Sequence, residues 1–594
     1  MKRPLLALVG LVLSLSAGPA VAQRGDRLPD ADLIVVNARI WTADTARPWA
    51  EALATRGERL LVVGSRAAAL RHRGGATRLI DAGGRLVTPG FIDNHTHFNQ
   101  AGGLLLGVNL LDVSTADSLV ARIAAARVRL PEGAWIVGGD WGAYEDWAAG
   151  STAARGADTT RRFRPDRAVI DPVTPNTGVL IQRWDRSAFV ANGAALAAAG
   201  LRCGNGGGAV DGLECQGGRA TGRIAGEALR RVQAAVPPKS FEQRLRESRV
   251  ALAQLASLGV TGINDITPKE QLPVYHELKR RGELTVRVFA RPTLDKWDEL
   301  AAVGIPPGFG DDWLRIGGLK GFVDGIQGNS TARFYEPQLH SGKRGEWRDS
   351  TNTAATSGPG SGMEPAGNME RNLLGADRAG YWPMVHAIGD EAIDTLLTLY
   401  EKVVRENPPR ERRLRIIHSQ VLRGAAVARR YAALGVIAEV QPYHAIDDMR
   451  WMEPRIGDRA RWAYAFKTLH DAGVMLSFGS DWPGTNASWY TADPMKIIYA
   501  AVTRRTLAGV PEGGWYPEER VDLTTALRAY TVNNAFAEGS EDIKGRLRPG
   551  MLADFVVLSQ DLFRIAPVNL KDVQALATVV GGRVVHAAGP FAPK

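Results

Sequence analysis

The feature that most restricts the fold of this chain is a series of eight apolar runs, each the length of one buried strand. Helical stretches such as 391–406 lie between several of them. Buried strands that alternate with helices are typical of a parallel sheet, and eight of them predict an α/β protein built on a (β/α)8 TIM barrel. The predicted strands cover 86–98, 260–266, 284–291, 314–324, 382–389, 414–419, 435–442 and 474–481.

The two ends of the chain are rich in β-forming residues and lie outside this series. Segments 32–41 and 59–64 predict strands near the start, and 553–558 and 577–585 predict strands near the end. Ala82-Gly83-Gly84 and Gly581-Gly582 have the composition of hairpin turns.

These segments predict a division of the chain into domains. We expect a small β-sandwich domain built from 23–88 and 540–594, beside a barrel domain over 89–539. The stretch from about 100 to 250 is too long for one crossover, and we interpret it as an inserted subdomain.

The first residues have the pattern of a secretory signal peptide. Lys2 and Arg3 precede an apolar segment over 5–15 that is too short to span a bilayer comfortably. Ala20-Val21-Ala22 fits the small-residue cleavage rule, so we expect cleavage after Ala22 and a periplasmic or secreted protein that starts at Gln23. The alternative is an uncleaved anchor. No other apolar run predicts a stable membrane anchor.

Composition limits the partners of this chain. The formal net charge of +10 is scattered, without a Lys/Arg stripe that contains aromatic residues, so nucleic acid is not implied. The two cysteines, Cys203 and Cys215, flank a Gly-rich stretch. In an oxidising compartment they could form a disulfide, and two free thiols are the alternative.

The strongest chemical signal is His95-Thr96-His97 at the end of the first predicted strand. Histidines two residues apart on a strand point to the same side, and at the C-terminal end of a barrel strand that side is the mouth of the barrel. Neutral imidazoles suit zinc. Taken alone, the pair could equally be structural.

Three more polar residues end apolar runs in the same manner: His386, His418 and Asp481. Any one of them could be a satisfied core residue. Four histidines and one aspartate at the C-terminal ends of strands in a single predicted barrel are hard to explain as core, and they favour a metal centre.

Lys320 lies in the fourth predicted strand, among apolar and glycine residues. A buried lysine is unfavourable unless it is paired or modified. A neutral amine can take up CO2, and the resulting carbamate has two oxygens that can bridge two cations. The alternative is a lysine that reaches solvent or pairs with Asp324, and for an isolated lysine we would favour it.

The order of these residues along the strands resembles that of the amidohydrolase superfamily. Within it, the chain resembles the amidohydrolase 3 family, the group typified by N-substituted formamide deformylase. The motifs that carry the resemblance span most of the chain: Gly90-Phe91-Ile92-Asp93-Asn94-His95-Thr96-His97, Val323-Asp324-Gly325, His386-Ala387-Ile388-Gly389-Asp390, Gln441-Pro442-Tyr443-His444, Gly479-Ser480-Asp481-Trp482-Pro483 and the segment 544–554. A departure is 415–420, where the family more often has Glu before His418 and Ala after it.

The resemblance implies a centre with two Zn2+ ions. His95, His97 and Asp481 would hold one ion, His386 and His418 would hold the other, and carboxylated Lys320 would bridge them. Asp481 would also accept a proton from the attacking water and pass it to the leaving nitrogen.

His444 is expected at the end of the seventh strand. It is a candidate catalytic residue, as an oxyanion donor or substrate contact, and an ordinary loop histidine is the alternative.

The implied activity is hydrolysis of an amide or related C–N bond in a small-molecule substrate. Deamination of a ring, lactone opening and a non-catalytic metal-binding role are the alternatives, because the fold does not choose among them. The identity of the substrate and the formation of a homo-oligomer are left open by the sequence.

Overall fold

The structure is a computed structural model that describes residues 28–130, 133–142, 163–184, 187–204, 210–348, 368–484 and 491–592. The expected signal peptide over 1–22 and the expected mature start at Gln23 lie outside these ranges. The described chain is a mixed α/β protein. Within it, no helix is both long and apolar enough to cross a membrane.

The strands of the described chain are numbered in chain order. They are β1 (Leu33–Val36), β2 (Arg39–Trp41), β3 (Trp49–Ala50), β4 (Ala52–Arg56), β5 (Arg59–Gly64), β6 (Arg78–Asp81), β7 (Leu86–Pro89), β8 (Phe91–Thr96), β9 (Ile136–Trp141), β10 (Val179–Arg183), β11 (Phe189–Ala191), β12 (Leu213–Gln216), β13 (Arg219–Ile224), β14 (Val260–Ile266), β15 (Arg287–Arg291), β16 (Phe309–Gly310), β17 (Leu314–Ile316), β18 (Gly318–Phe322), β19 (Trp382–Ala387), β20 (Arg415–His418), β21 (Ile437–Val440), β22 (Leu476–Phe478), β23 (Phe555–Leu558), β24 (Ala575–Val580) and β25 (Arg583–Ala587).

Helices connect most of these strands. The α-helices are Arg66–Leu70, Phe98–Leu106, Ala116–Arg129, Arg167–Ile170, Gly193–Ala198, Gly226–Ala235, Phe241–Ser257, Leu272–Arg280, Trp297–Ala302, Glu370–Arg378, Asp390–Glu406, Ala425–Leu434, Pro442–Ile456, Phe466–Asp471, Pro494–Thr503, Leu523–Ala529 and Val532–Ala537. The short 3-10 helices are Asp171–Val173, Leu294–Lys296, Gln327–Asn329, Gly457–Trp462, Pro517–Glu519, Pro567–Asp572 and Gly589–Phe591.

The central strands follow chain order in two mainly parallel sheets. One sheet has the order β16-β17-β15-β14-β8, in which only β16 is antiparallel, and the other has the order β18-β19-β20-β21-β22. Two single parallel bridges, Thr96 to Trp482 and Thr293 to Lys320, connect the sheets. Each of the eight predicted strands therefore corresponds to at least one observed strand in this arrangement.

Helices pack their apolar faces against these sheets. The helix Asp390–Glu406 follows β19 and buries Ile393, Leu396 and Tyr400 in the largest apolar core. Two acidic residues in its first turn and Arg405 in its last turn complement the helix dipole. The predicted helix over 391–406 is confirmed.

Two predicted strands are each interrupted in the structure at a glycine. The 86–98 run separates at Gly90 into β7 and β8, which belong to different sheets. A Cβ atom at Gly90 would lie 2.2 Å from Thr261 Oγ1, so the chain crosses between the sheets where only glycine fits. The 314–324 run separates at Gly317, where a Cβ atom would lie 2.2 Å from the Phe289 ring.

The ends of the chain form two further sheets around one shared core. Their orders are β5-β4-β1-β6 and β25-β24-β23-β7-β2-β3. Val35 of the first sheet and Val87, Phe555 and Val579 of the second lie in the same apolar cluster. Strands from both chain ends are therefore packed together.

The two predicted hairpin turns in this region have different outcomes. Gly581-Gly582 does connect the antiparallel strands β24 and β25, so that prediction is confirmed. The prediction for Ala82-Gly83-Gly84 is wrong, because β6 pairs with β1 whereas β7 pairs with β2 and β23. Gly83 and Gly84, with φ of 58° and 80°, turn the chain from one sheet to the other.

A separate five-stranded sheet, β12-β13-β11-β10-β9, lies between β8 and β14 in the chain, within the segment interpreted as an insertion. Cys203 and Cys215 form a disulfide in this region, with their Cα atoms 6.1 Å apart. The bond closes a loop that includes residues outside the described ranges, and it decides between the two alternatives for the cysteines.

Candidate metal centre

The predicted site residues lie at the C-terminal ends of the central strands. His95 belongs to β8, Lys320 to β18, His386 to β19 and His418 to β20, and all four side chains are buried. Asp481 follows β22 by three residues. Because parallel strands present these ends at the same edge of a sheet, residues far apart in the chain meet here.

His444 differs from its predicted position. Strand β21 ends at Val440, and His444 lies in the first turn of the helix Pro442–Ile456 rather than at a strand end. Pro442 occupies the start of this helix, where the missing N–H has no cost and the fixed φ is already helical. The structure nevertheless keeps His444 at the site.

Asp481 lies between two groups of histidines. Its Oδ1 atom is 3.3 Å from His95 Nε2 and 3.2 Å from His97 Nε2, and its Oδ2 atom is 3.8 Å from His444 Nε2. Two sets of possible ligand atoms therefore share this carboxylate, each within 4.8 Å of one another: His95, His97 and Asp481, and His418, His444 and Asp481.

His386 completes the row of imidazoles. Its ring centroid lies 4.5 Å from that of His418, and the His418 centroid lies 5.2 Å from that of His95. The Nε2 atom of His386 is 2.8 Å from the carbonyl oxygen of Gly325. The structure thus brings His386 next to His418, as predicted from the sequence, and adds His444 to the same neighbourhood.

The loop that carries Asp481 is tied to the first central strand. The Asp481 N–H donates to the carbonyl oxygen of His95 (2.8 Å), and the His97 N–H donates to that of Trp482 (2.7 Å). Buried Asp93 accepts the N–H of Ser480 at 2.9 Å and the hydroxyl of Tyr530 at 2.9 Å. These bonds fix the carboxylate of Asp481 beside His95 and His97.

Three residues at the site have strained backbone conformations. His418, Ser419 and Asp481 have φ values of 74°, 44° and 58°, in the left-handed region that non-glycine residues seldom adopt. Such conformations persist only where the surrounding structure imposes them, and they cluster at functional sites. Two of the three strained residues carry candidate ligands.

Hydrogen bonds on the far side of the rings orient two of the histidines. His95 Nδ1 lies 2.7 Å from Glu439 Oε1, and His418 Nδ1 lies 2.8 Å from Gln441 Oε1. Since an ionised carboxylate can only accept, Nδ1 of His95 carries the proton and Nε2 presents its lone pair to the site. Among the described residues, His95 Nε2 has no hydrogen-bond partner.

Glu439 is the buried residue that organises this region, and the sequence predictions missed it. It pairs with Arg291 at 2.9 Å and with Arg415 at 3.2 Å, and all three side chains are fully buried. Burial opposes the ionised form, but the two guanidiniums and His95 hold the pKa of Glu439 well below its usual value. The available signal was one acidic residue within the apolar run 437–440 and basic residues in two other buried strands.

The electrostatic environment keeps the imidazoles neutral. Burial lowers the pKa of His95, His386, His418 and His444, and the charge of Lys320 adds to this effect at the first three. Burial alone would raise the pKa of Asp481, but His95 and His97 outweigh it and hold that pKa well below its usual value. Neutral imidazoles beside an ionised carboxylate are the forms that bind a metal.

Lys320 lies in the same cluster. Burial lowers the pKa of its amine to about 7, although Glu439 and Asp481 oppose the shift. Its Nζ atom lies 4.5 Å from the centre of the Phe322 ring and has no hydrogen-bond partner among the described residues. A buried amine without a partner is unfavourable, so the geometry fits an added group at this nitrogen.

The donor set fits a zinc centre. Imidazole nitrogens and a carboxylate oxygen are the usual ligands of catalytic zinc. The imidazoles of His95, His97, His418 and His444 bring their ring nitrogens to within ligand distance of the Asp481 carboxylate, as such an ion requires. Hydrogen bonds to the outer nitrogens of His95 and His418 are also typical of metal-bound histidines.

Comparison with known proteins defines the class. The sequence pattern of the amidohydrolase family matches residues 78–586, which include all seven residues of the site. This chain belongs to the amidohydrolase family. It is accordingly a metal-dependent hydrolase that acts on carbon–nitrogen bonds other than peptide bonds.

Individual relatives extend over nearly the whole chain. It is 32% identical to the protein LONG AFTER FAR-RED 3 of Arabidopsis thaliana, over 94% of this chain and 92% of that one. It is 24% identical to the N-substituted formamide deformylase of Arthrobacter pascens, over 93% and 97% of the two chains. A metal-dependent hydrolase from Pyrococcus furiosus superposes with a TM-score of 0.69 at 27% identity, covering 90% of this chain and 99% of that one.

Glu439→Gln tests the organising role of the buried carboxylate. The neutral amide would leave Arg291 and Arg415 without their anion, which costs about 3–5 kcal/mol for a buried pair. It would also release the orientation of His95, so we expect zinc affinity to fall by about 10- to 100-fold. Chelator competition and thermal unfolding measure the two effects.

The matched control is Glu391→Gln. Glu391 also pairs with two arginines, Arg333 at 2.9 Å and Arg344 at 2.8 Å, but it contacts none of the site histidines described above. This variant should keep the zinc affinity of the unaltered protein. Equal zinc affinity in Glu439→Gln and Glu391→Gln would contradict the role given to Glu439.

Proposed function

We propose that this protein is an exported, zinc-dependent hydrolase that cleaves an amide or related C–N bond of a small molecule. The proposal rests on the position of Asp481, whose Oδ1 atom faces His95 and His97 and whose Oδ2 atom faces His444. A single carboxylate in that position can hold a metal and also exchange a proton with a substrate beside it.

The proposal also includes the architecture of the barrel and of the domain beside it. We infer that β8, β14, β15, the β17–β18 pair and β19 to β22 make one closed (β/α)8 barrel, and the two parallel bridges between the sheets support closure. The end sheets would form the β-sandwich domain over 23–88 and 540–594, with the barrel domain at 89–539 and its insertion at about 100–250.

The zinc assignment follows the ligand groups. His95, His97 and Asp481 would hold one ion, and His386 and His418 would hold a second, with His444 close enough to join the second group. When bound, zinc lowers the pKa of water to ≈ 7 and polarises a carbonyl group. The protein supplies the neutral nitrogens and the single carboxylate that this chemistry requires.

The side chains then move the proton. Asp481, ionised at neutral pH, accepts a proton from the attacking water while the water oxygen bonds to the carbonyl carbon. It returns that proton to the nitrogen as the C–N bond breaks, which gives a carboxylic acid and an amine. His444 lies next to Asp481 Oδ2 and is positioned to donate a hydrogen bond to the carbonyl oxygen.

Lys320 would enter the centre as a carbamate. A pKa of about 7 leaves a substantial fraction of its amine neutral at physiological pH, and the neutral amine is the form that reacts with CO2. The carbamate would add a negative charge and two oxygen donors among imidazoles that carry no charge. Its formation would remove the conflict between a lysine cation and two divalent ions.

The substrate assignment rests on the family and on one relative. The name of the Arthrobacter pascens relative describes cleavage of N-substituted formamides, which are amides of a small acyl group. We propose that the present protein cleaves an amide of similar simplicity. Acyl anilides, formamides and N-acyl amino acids form the panel on which its activity should be measured.

Asp481→Asn should abolish turnover of this panel, because the amide side chain cannot accept the proton of the attacking water. Zinc content, measured by elemental analysis, should fall less than activity, since the four histidine ligands His95, His97, His386 and His418 remain. Turnover close to that of the unaltered protein would contradict the proposed mechanism.

Lys320→Ala should lose one or both zinc ions and nearly all activity, because the bridging anion is lost. Short carboxylic acids added to this variant should restore part of the zinc content and part of the turnover by occupying the space of the carbamate. A fully metallated, active Lys320→Ala variant would show that the bridge is not needed and would favour a mechanism with one zinc ion.

Export is proposed from the sequence of the first 22 residues and is supported by the Cys203–Cys215 disulfide, since such bonds persist in oxidising compartments. Peptide mass mapping of the periplasmic fraction, without reductant, should find Gln23 as the first residue and no alkylated cysteine. An intact Met1 in that fraction would contradict cleavage, and two alkylated thiols would remove the support of the disulfide.

A further inference from the structure

His97 is held differently from the other histidines of the candidate metal centre. Three of those histidines have one ring nitrogen 2.7 or 2.8 Å from an acceptor outside the centre: His95, His386 and His418. The His97 ring has the Asp481 carboxylate 3.2 Å from its Nε2 atom, and no residue that the structure describes forms a hydrogen bond with its Nδ1 atom. The orientation of this ring therefore depends mainly on the backbone that carries it.

The backbone changes from strand to helix at His97. Strand β8 ends at Thr96, and the helix Phe98–Leu106 begins at the residue after His97. His97 itself has φ of −114° and ψ of 63°, which belong to neither element, and its side chain does not cap the helix. The first N–H groups of a helix have no acceptor within the helix, so the acceptor must come from elsewhere.

Asp265 supplies this acceptor. It lies in the neighbouring strand β14, in register with Thr96, and its side chain is fully buried. Its Oδ1 atom accepts the N–H of Phe98 at 2.8 Å and the hydroxyl of Thr96 at 3.4 Å. A negative charge at this end of a helix is also stabilising. One carboxylate oxygen therefore holds both the residue before His97 and the residue after it.

Two further contacts fix the carboxylate of Asp265 from its other side. Its Oδ2 atom accepts the hydroxyl of Tyr275 at 2.8 Å and the hydroxyl of Thr267 at 2.9 Å. Tyr275 is fully buried and belongs to the helix Leu272–Arg280, which follows β14. Four donors thus satisfy a carboxylate that lies away from water, and they leave it a single position beside the start of the helix Phe98–Leu106.

We propose that Asp265 is a positioning residue for His97 and supports one of the two proposed zinc sites, the one that contains His97. The inference rests on the proposed function, because His97 is a ligand of the proposed centre. Asp265 acts through the backbone on both sides of His97, where the other site histidines are oriented through their rings. The second pair of ligands, His386 and His418, lies on β19 and β20 of the other sheet. Loss of the Asp265 carboxylate should therefore affect one zinc ion and spare the other.

Chelator competition with zinc alone tests the proposal, because it measures the affinity for each ion without a substrate. Asp265→Ala removes the acceptor, so the affinity for one ion should fall by about 10- to 100-fold, the loss typical of residues that orient a metal ligand. The affinity for the other ion should change by less than about threefold. Should Asp265→Ala fail to fold, Asp265→Leu removes the same acceptors while it keeps the volume of the side chain, and the same result is expected.

Asp265→Asn should restore the zinc affinity. Its amide oxygen can accept the N–H of Phe98, and its amide group can donate to the hydroxyl oxygens of Tyr275 and Thr267. Both affinities should therefore stay within about threefold of those of the unaltered protein. A loss in Asp265→Asn as large as in Asp265→Ala would show that the charge, rather than the hydrogen bonds to the backbone of His97, is what matters, and it would overturn the positioning role.

The matched control is Tyr275→Phe, which removes a bond to the same carboxylate on the side away from His97. Thr267 still holds Oδ2 in this variant. Thermal unfolding should show a lower Tm in both Tyr275→Phe and Asp265→Ala, whereas zinc affinity should fall in Asp265→Ala only. An equal loss of both ions in Asp265→Ala, no loss of either, or the same loss in Tyr275→Phe would overturn the proposal.

Crystal structures separate this proposal from the proposed function. If the unaltered protein bound no zinc or a single ion, the two-zinc centre would be contradicted, but metal-free crystals of the unaltered protein and of Asp265→Ala would still report the position of His97. A His97 ring displaced by more than about 0.5 Å in Asp265→Ala, with His386 and His418 in place, would support the positioning role. A His97 ring in its original position would overturn that role.

Discussion

The buried contact between Glu439 and His95 is the interaction on which the site depends. Glu439 reaches the ring of His95 across 344 residues of chain and is itself held between Arg291 and Arg415. Such a charge is tolerated away from water because two guanidiniums and an imidazole N–H lie against the Glu439 carboxylate. The same network orients the His95 imidazole toward Asp481. The carboxylate of Glu439 therefore connects the buried arginines to the candidate metal centre.

The second requirement is that Asp481 occupy a single position. Its loop is bonded to the backbone of β8, and its own backbone is strained with φ of 58°. The buried carboxylate of Asp93 also holds this loop, because it accepts the N–H of Ser480. A carboxylate held in this way can face two groups of histidines without reorganising during the reaction, which is the condition for electrostatic preorganisation.

Much of the fold and of the candidate site could be predicted from the sequence, because the C-terminal ends of parallel strands lie at the same edge of a sheet and bring their residues together. His95, His386, His418 and Asp481 each follow or end an apolar run, and that pattern is local. Glu439 could not be assigned a role, since its partners lie on other strands and only the folded chain brings them together. The helical position of His444 and the change of sheet at Gly90 likewise depend on contacts between distant segments.

Anomalous scattering at the zinc edge, from crystals of the zinc-loaded protein, locates the bound ions directly. We expect two peaks, one among His95, His97 and Asp481 and one beside His386 and His418. We also expect added density for a carbamate on Lys320 Nζ between them. Zinc bound away from Asp481, or an unmodified Lys320 amine that points away from a fully occupied centre, would contradict a two-zinc centre bridged by Lys320.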